Sequence, residues 1–234
     1  MSFFHFINTL SELEWPFTLI FRTFGSDLPF ILKEWKEFVT GVHDCKPRGK
    51  ILEQIKANYV EPLTGCIYRD KESLYLCLGV CVSAIAAKIE EGDTEEVILA
   101  KLRALPGCTE VRQISFHSLS QELLQYYQAS NNVGGLVDYY PCWAQAAEGR
   151  CGGKVFPVQL TGADHYTVFY DDNIFIGDEK SIVDLRDAES SASLLGEEVE
   201  LPFCVPVNAY EAIVNEDYFL DRLCERLTLQ QKRS

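Results

Sequence analysis

Basic residues are scarce in this chain. Lysine and arginine total 21 against 35 aspartates and glutamates, and the formal net charge is −14. Binding to phosphate backbones or anionic lipid requires basic surface, so neither nucleic acid nor a membrane is expected as a partner. A basic protein partner is compatible with such a field. Long apolar runs are missing too: the longest is far short of the ~20 residues that cross a bilayer. The first 24 residues carry Glu12, Glu14, Pro16 and Arg22 and lack a basic stretch and a small-residue cleavage site, so no secretory leader is expected. Neither Gly-rich phosphate pattern, that of the P-loop or that of dinucleotide folds, occurs, which argues against a nucleotide enzyme. Gly134-Gly135 and Gly152-Gly153 read as turns instead. Zinc sites need close Cys or His pairs, and Cys77-x₃-Cys81 stands alone, so neither a metal nor a cofactor is expected. Internal repeats and low-complexity tracts are absent, and the carboxylates, Glu197, Glu198 and Glu200 among them, read as ordinary surface.

What is present is the composition of a globular protein, 47% hydrophobic and 24% charged over 234 residues. Such a length buries a core. The expectation is one compact domain over 1–234, with a helical part at 1–130 and a sheet-rich part at 150–234. Nine cysteines, odd in number and irregular in spacing, read as free thiols in a reducing compartment, cytoplasmic or nuclear.

Periodicity supplies the elements. LPFILKEWKEFVTG (28–41) puts Phe30, Ile31, Trp35, Phe38 and Val39 near helical spacing and stops at Gly41. A second helix is expected from Gly49 to Tyr59. In SLYLCLGVCVSAIAAKIEEG (73–92) the first half reads as a buried strand and the second, from Cys81, as a helix. Asp93 or Thr94 would cap TEEVILAKLRAL, and Ser118 or Ser120 would cap SQELLQYYQ. After residue 150 come KVFPVQL, HYTVFY, NIFIGD, SIVDL and VELPFCVPV, short β-rich runs between turns. A helix over 208–227, capped by Asn208, closes the chain. The expected class is α+β, a helical N-terminal half packed on a C-terminal antiparallel sheet.

One constellation carries chemistry. A thiol at a helix start is favoured as thiolate by the helix dipole, and Cys81 follows Gly79 at such a point. His165, on the hairpin ADHYTVFYDDNIFIGDEK, is placed to take its proton. Asp178 on the returning strand would fix the tautomer of His165, with Asp164, Asp171 and Asp172 as competitors. The bland alternative makes Cys77 and Cys81 packed thiols and leaves His165 facing water. CWAQAA (142–147) fits a helix start with a buried Trp143 rather than a second nucleophile, and Cys66 in LTGCIYRD fits a solvated turn.

The order Cys81, His165, Asp178 resembles papain-like peptidases, and Gly-Val-Cys before a helix is similar to the box of ovarian-tumour-type deubiquitinases, including compact viral ones. Leu78 stands where that box has Asp. The resemblance implies a cysteine hydrolase acting on peptide or isopeptide bonds, with Cys81 as nucleophile, His165 as base and Asp178 as orienting acid. A rival resemblance, carried by LPFILKEWKEFVTG, the later HYTVFYDDNIFIGD and AYEAIVNEDYFLDRL, is to SUKH-type domains. It implies a non-enzymatic module that binds partner proteins, with Trp35 and Phe38 in the core and Asp171, Asp172 and Asn173 as a hairpin turn. An exposed patch of Phe3, Phe4, Phe6 and Phe17 would favour a scaffold role. The partner is thus either a bound protein or a polypeptide substrate.

Overall fold

A computed structural model describes residues 2–69, 73–79, 89–90, 92–161 and 165–232. The chain is α+β. The two expected N-terminal helices are where their periodicity puts them, and a further one, α1, precedes them. In α1 (Ser2–Glu12), Phe6, Ile7 and Leu10 form one buried stripe. It packs on Trp35, Phe38 and Val39 of α2 (Leu28–Thr40) and on Leu52 and Ile55 of α3 (Lys50–Ala57). Helix α2 ends at Gly41, whose φ of 81° takes the left-handed conformation that closes a helix. Phe6 is buried, and the partly buried Phe3, Phe4 and Phe17 pack against this cluster, so these four do not form the exposed patch that would favour a scaffold role.

The part expected to be helical also carries the main sheet. Strands β1 (Leu19–Thr23), β2 (Leu63–Arg69), β3 (Leu74–Leu78), β4 (Glu110–Ile114) and β5 (Val133–Asp138) pair in the order β1-β5-β2-β3-β4. The first three in that order run parallel, and β2, β3 and β4 alternate. Helices cover both faces, which is why the inner strands β2, β3 and β5 read as largely apolar runs, whereas the edge strand β4, EVRQI, does not. Leu74, Leu76 and Leu78 meet Leu119, Leu123 and Tyr127 of α5 (Phe116–Gln128). The alternate residues Tyr75 and Cys77 face Leu28 of α2 and Ile98 and Leu102 of α4 (Glu95–Arg103). Thr94 stands at the start of α4, as expected. Helix α5 is capped by Ser115 rather than by Ser118 or Ser120. Ser115 accepts the Ser118 N–H at 3.2 Å while the Ser118 hydroxyl accepts the Ser115 N–H, a capping box that starts the helix one turn earlier.

Gly134 and Gly135 are not a turn. They lie in the middle of β5, the strand flanked by β1 and β2. A Cβ on Gly134 would stand 1.8 Å from the Tyr127 ring, and one on Gly135 would stand 2.5 Å from Leu28. The two glycines let a helix pack directly against the strand on each face. Cys66 also lies in a strand, β2, and not in a solvated turn.

Following α6 (Tyr140–Gln145), the C-terminal part departs from an antiparallel meander. Strand β6 (Lys154–Val158) pairs in parallel with β8 (Val183–Asp187), and β7 (Phe169–Asp171) pairs in parallel with β9 (Cys204–Pro206). NIFIGD is not the return strand of a hairpin. The Asn173 N–H donates to Asp171 Oδ1 at 2.9 Å, and Ile174 and Ile182 turn into the core with Phe156, Val158 and Phe203. Much of VELPFCVPV is likewise helix or turn, with α7 at Glu197–Glu200 before β9. The closing helix is two helices, α8 (Ala209–Val214) and α9 (Tyr218–Gln231). Asn208 caps α8 as expected, accepting the Glu211 N–H at 3.1 Å, and Asn215 ends it by turning its side chain to the Asp217 N–H.

Candidate functional site

Of the three residues expected to form a catalytic set, Cys81 lies outside the described residues, as does the competing acid Asp164. His165 and Asp178 are both exposed. Asp178 sits in a tight turn, where its Oδ1 accepts the Lys180 N–H at 2.8 Å and its carbonyl accepts the Ser181 N–H at 3.1 Å. Among the described residues no hydrogen bond or ion pair joins His165 to Asp178, and the hairpin expected to align them is absent. The other competitors are engaged elsewhere: Asp171 with Lys154 Nζ at 2.7 Å, and Asp172 with the Asn173 amide at 2.9 Å.

Half of the eight thiols that can be placed are shielded from water. Cys66, Cys77, Cys142 and Cys204 are buried. Cys142 starts α6 as expected, beside a half-buried Trp143 stacked on Phe24 at 5.3 Å. Burial, then the Glu200 charge, pushes the Cys204 thiol up to about 12. A hydrogen bond to Cys66, burial and the neighbouring thiols raise Cys77 far above the usual range, and burial raises Cys108. A thiol held above its ordinary pKa is a poor nucleophile at neutral pH. No group of three or more His, Cys, Asp or Glu among the described residues could hold a metal ion. A cavity lined by Cys66, Tyr68, Leu102, Asp138 and Tyr139 has about 10 Å³, room for a single water rather than a substrate.

A set of buried charges went unforeseen. Arg22 is the next-to-last residue of β1 and Asp138 closes β5, and Arg22 Nε donates to Asp138 Oδ2 at 3.0 Å while its Nη1 donates to the Val155 carbonyl at 2.7 Å. Arg69 closes β2 and reaches Asp184 of β8 at 2.9 Å, along with the carbonyls of Gly153 and Cys151. Arg150 meets Glu200 at 2.6 Å, and the other Glu200 oxygen accepts the Gly177 N–H. Glu200 is therefore core, unlike its neighbours Glu197 and Glu198. Each acid here is held by a cation, which does not suit proton transfer, and the bonds from Arg22 to Val155 and from Arg69 to Asp184 form a seam between the main sheet and the C-terminal strands. The available signal was an arginine at the end of an apolar run, in LIFRT and in LTGCIYR.

The opposite case is the segment 208–217, NAYEAIVNED, in which every residue except Ala212 is exposed. Tyr210, Ile213 and Val214 are 73%, 75% and 60% exposed, and their i, i+3, i+4 spacing puts them on one face of α8. Acids surround them: Glu211, Glu216 and Asp217 within the segment and Asp221 just beyond. The sequence carries no lysine or arginine between Arg186 and Arg222. The segment is anchored on α1, where the Ser2 hydroxyl donates to the Ala212 carbonyl and the His5 ring lies 3.1 Å from Asp217 and 3.4 Å from Glu216. Tyr218 fixes the other side: its hydroxyl accepts the Asn208 N–H at 2.8 Å and donates to the Pro206 carbonyl at 3.2 Å. This is a supported, apolar surface with an acidic surround.

No family model, no curated protein and no solved structure matches this chain.

Proposed function

We propose that the protein is a non-enzymatic interaction module that binds a basic protein partner through residues 208–217. The observation that carries this reading is the exposed apolar face of Tyr210, Ile213 and Val214 on a helix whose backbone is tied to α1 and to Tyr218. An apolar centre with a polar rim is the anatomy of a protein interface. The acids around it select for lysine and arginine on the partner and repel other acidic chains. Burying an Ile, Val or Tyr against a partner is worth about 1.5–3 kcal/mol each, and ~1.4 kcal/mol is tenfold in affinity. This is the role that the SUKH-type resemblance implies. The eight free thiols among the described residues fit a reducing compartment, cytoplasmic or nuclear. No helix of the described residues is long and apolar enough to cross a membrane.

The test is selection of random peptides displayed on phage against the immobilised full chain, with Tyr210→Ser and Ile213→Ser variants as counter-targets. The expected binders carry apolar residues flanked by Lys or Arg, lose about tenfold in affinity on either variant, and weaken with salt. Peptides that bind both variants as well as the parent would place the interface elsewhere and overturn the reading.

A further inference from the structure

We infer that Cys66 and Cys77 are a redox-active dithiol that closes to a cross-strand disulfide under peroxide, with Cys108 as the point where the oxidant enters.

The geometry comes from the register. Cys66 and Cys77 are direct partners in the antiparallel β2–β3 ladder, so their side chains lie on the same face. Gly79 N–H donates to the Thr64 carbonyl at 2.9 Å, which makes 64 and 79 a hydrogen-bonded pair. Pairs alternate along an antiparallel ladder, so Cys66 and Cys77, two residues further on, are also of that kind. Their Cα atoms are then about 5.5 Å apart, inside the ~4.4–6.8 Å that a disulfide takes, while the Cβ atoms of such a pair stand wider than the ~3.5–4.5 Å of a relaxed bridge, so closure must draw the two strands together and gives a readily reduced bond. Both thiols are in the same cluster, on the α4 face of the sheet. The contact between them is close enough that a hydrogen bond to Cys66 is the main influence raising Cys77. Cys66 and Cys77 are buried, whereas Cys108 packs on the same cluster and is partly exposed, with its Sγ 3.5 Å from the Glu110 carbonyl.

The chemistry balances with hydrogen peroxide as the oxidant. The Cys108 sulfur attacks one peroxide oxygen. An S–O bond forms, the O–O bond breaks, and the leaving hydroxide takes the thiol proton as water. The Cys66 sulfur attacks the resulting sulfenic sulfur, forming an S–S bond and releasing the second water. The Cys77 sulfur then attacks the Cys66 sulfur and returns Cys108 as a thiol. The net change is two thiols and one peroxide to one disulfide and two waters, with two electrons leaving Cys66 and Cys77. Cys108 is held above its ordinary pKa by burial, so the first step is slow at neutral pH and quickens as the pH rises.

The test treats the reduced, native full chain with hydrogen peroxide, blocks remaining thiols with N-ethylmaleimide and maps the cysteines by non-reducing tryptic digestion. Arg69 and Lys71 lie between the two cysteines, so a Cys66–Cys77 link appears as two joined peptides, and the Cys81→Ser chain assigns it to Cys77, because Cys77 and Cys81 share one tryptic peptide. The expected result is that link, forming at least about fivefold more slowly in Cys108→Ser and faster at alkaline pH. In Cys77→Ala the reaction should stop at a Cys66–Cys108 link. Recovery of Cys66 and Cys77 as thiols while the exposed Cys151 and Cys224 are oxidised would overturn the dithiol. An unchanged rate in Cys108→Ser would overturn its role as entry point.

Discussion

Asp184→Ala tests the seam between the main sheet and the C-terminal strands. Asp184 is fully buried and Arg69 is 4% exposed, and one carboxylate oxygen receives both Arg69 at 2.9 Å and Arg186 at 2.9 Å. Removing the acid leaves a guanidinium buried with only the Gly153 and Cys151 carbonyls as acceptors. Breaking a buried pair from one side costs about 3–5 kcal/mol. For a chain of this size that lowers Tm by about 6–20 °C, taking 2–4 °C per kcal/mol. The exposed Lys36–Glu61 pair is the control, because Glu61→Gln should cost no more than ~1 kcal/mol. The Arg69–Asp184 pair is imperfectly satisfied, since Arg69 Nε and Asp184 Oδ1 find no partner among the described residues. The double change Arg69→Met with Asp184→Leu should therefore recover most of the loss, as apolar replacements of buried ion pairs often do. Urea unfolding followed by circular dichroism measures all four proteins. A loss below ~1 kcal/mol in Asp184→Ala, or a double variant no better than the single, would refute the argument that an unpaired buried charge dominates here.

Gly134→Ala should destabilise by about 3 kcal/mol or more, because the new methyl meets the Tyr127 ring, which is itself fixed by burial and by its hydroxyl bond to the Gly135 carbonyl; Tyr127→Leu in the same chain should return part of the loss in denaturant midpoint. Lys101 and the Glu90 N–H hold the Asp93 carboxyl below its ordinary value of 3.8. Its contribution is therefore complete above that value and fades as the pH falls through the lower folded value; an NMR titration of Lys101→Ala should find Asp93 moved upward. Site-resolved alkylation with iodoacetamide decides the hydrolase reading: Cys151 and Cys224 should react ahead of Cys66, Cys77, Cys142 and Cys204. Should Cys81 instead lead all of them below the ordinary thiol pKa of about 8.5, and lose that lead in His165→Ala, the interaction-module reading would give way to the thiol hydrolase.

Helices α2 and α3 were legible because each buries a stripe at helical spacing on its neighbour, as Trp35, Phe38 and Val39 do, whereas α1 went unplaced because its aromatics were weighed as surface. The α+β class followed from the same patterns. Strand pairing was not legible. Whether β6 and β8 run parallel depends on a connection of some two dozen residues whose path no local pattern encodes, and Asp171 and Asn173 make an Asx turn with or without a hairpin behind it. Gly134-Gly135 misled for a related reason. Two adjacent glycines signal a turn only when nothing fills the space of their absent side chains, and here Tyr127 and Leu28 fill it. Arg69 and Glu200 were read as solvated because charge is usually solvated, and their partners stand 115 and 50 residues away.

The candidate surface was hidden by the strength of the periodicity rule itself. Tyr210, Ile213 and Val214 have the spacing that marks a buried stripe, as Trp35, Phe38 and Val39 do in α2. A stripe of that spacing is evidence of a face that something covers, not of what covers it. In α2 the cover is α1 and α3 of the same chain. In α8, the contacts with α1 and Tyr218 use the backbone of Asn208 and Ala212, whose i, i+4 spacing puts them on the side of the helix away from the apolar stripe. The anchored backbone holds α8 in place without burying its apolar side chains, which lowers the ordering cost of binding. Loosening the anchor while leaving the face intact should therefore separate position from contact: Tyr218→Phe removes the hydroxyl that bridges Asn208 and Pro206. The selected peptides should bind this variant several-fold more weakly although every apolar group of the face is still present. Unchanged affinity would mean that the anchoring is incidental to the interface.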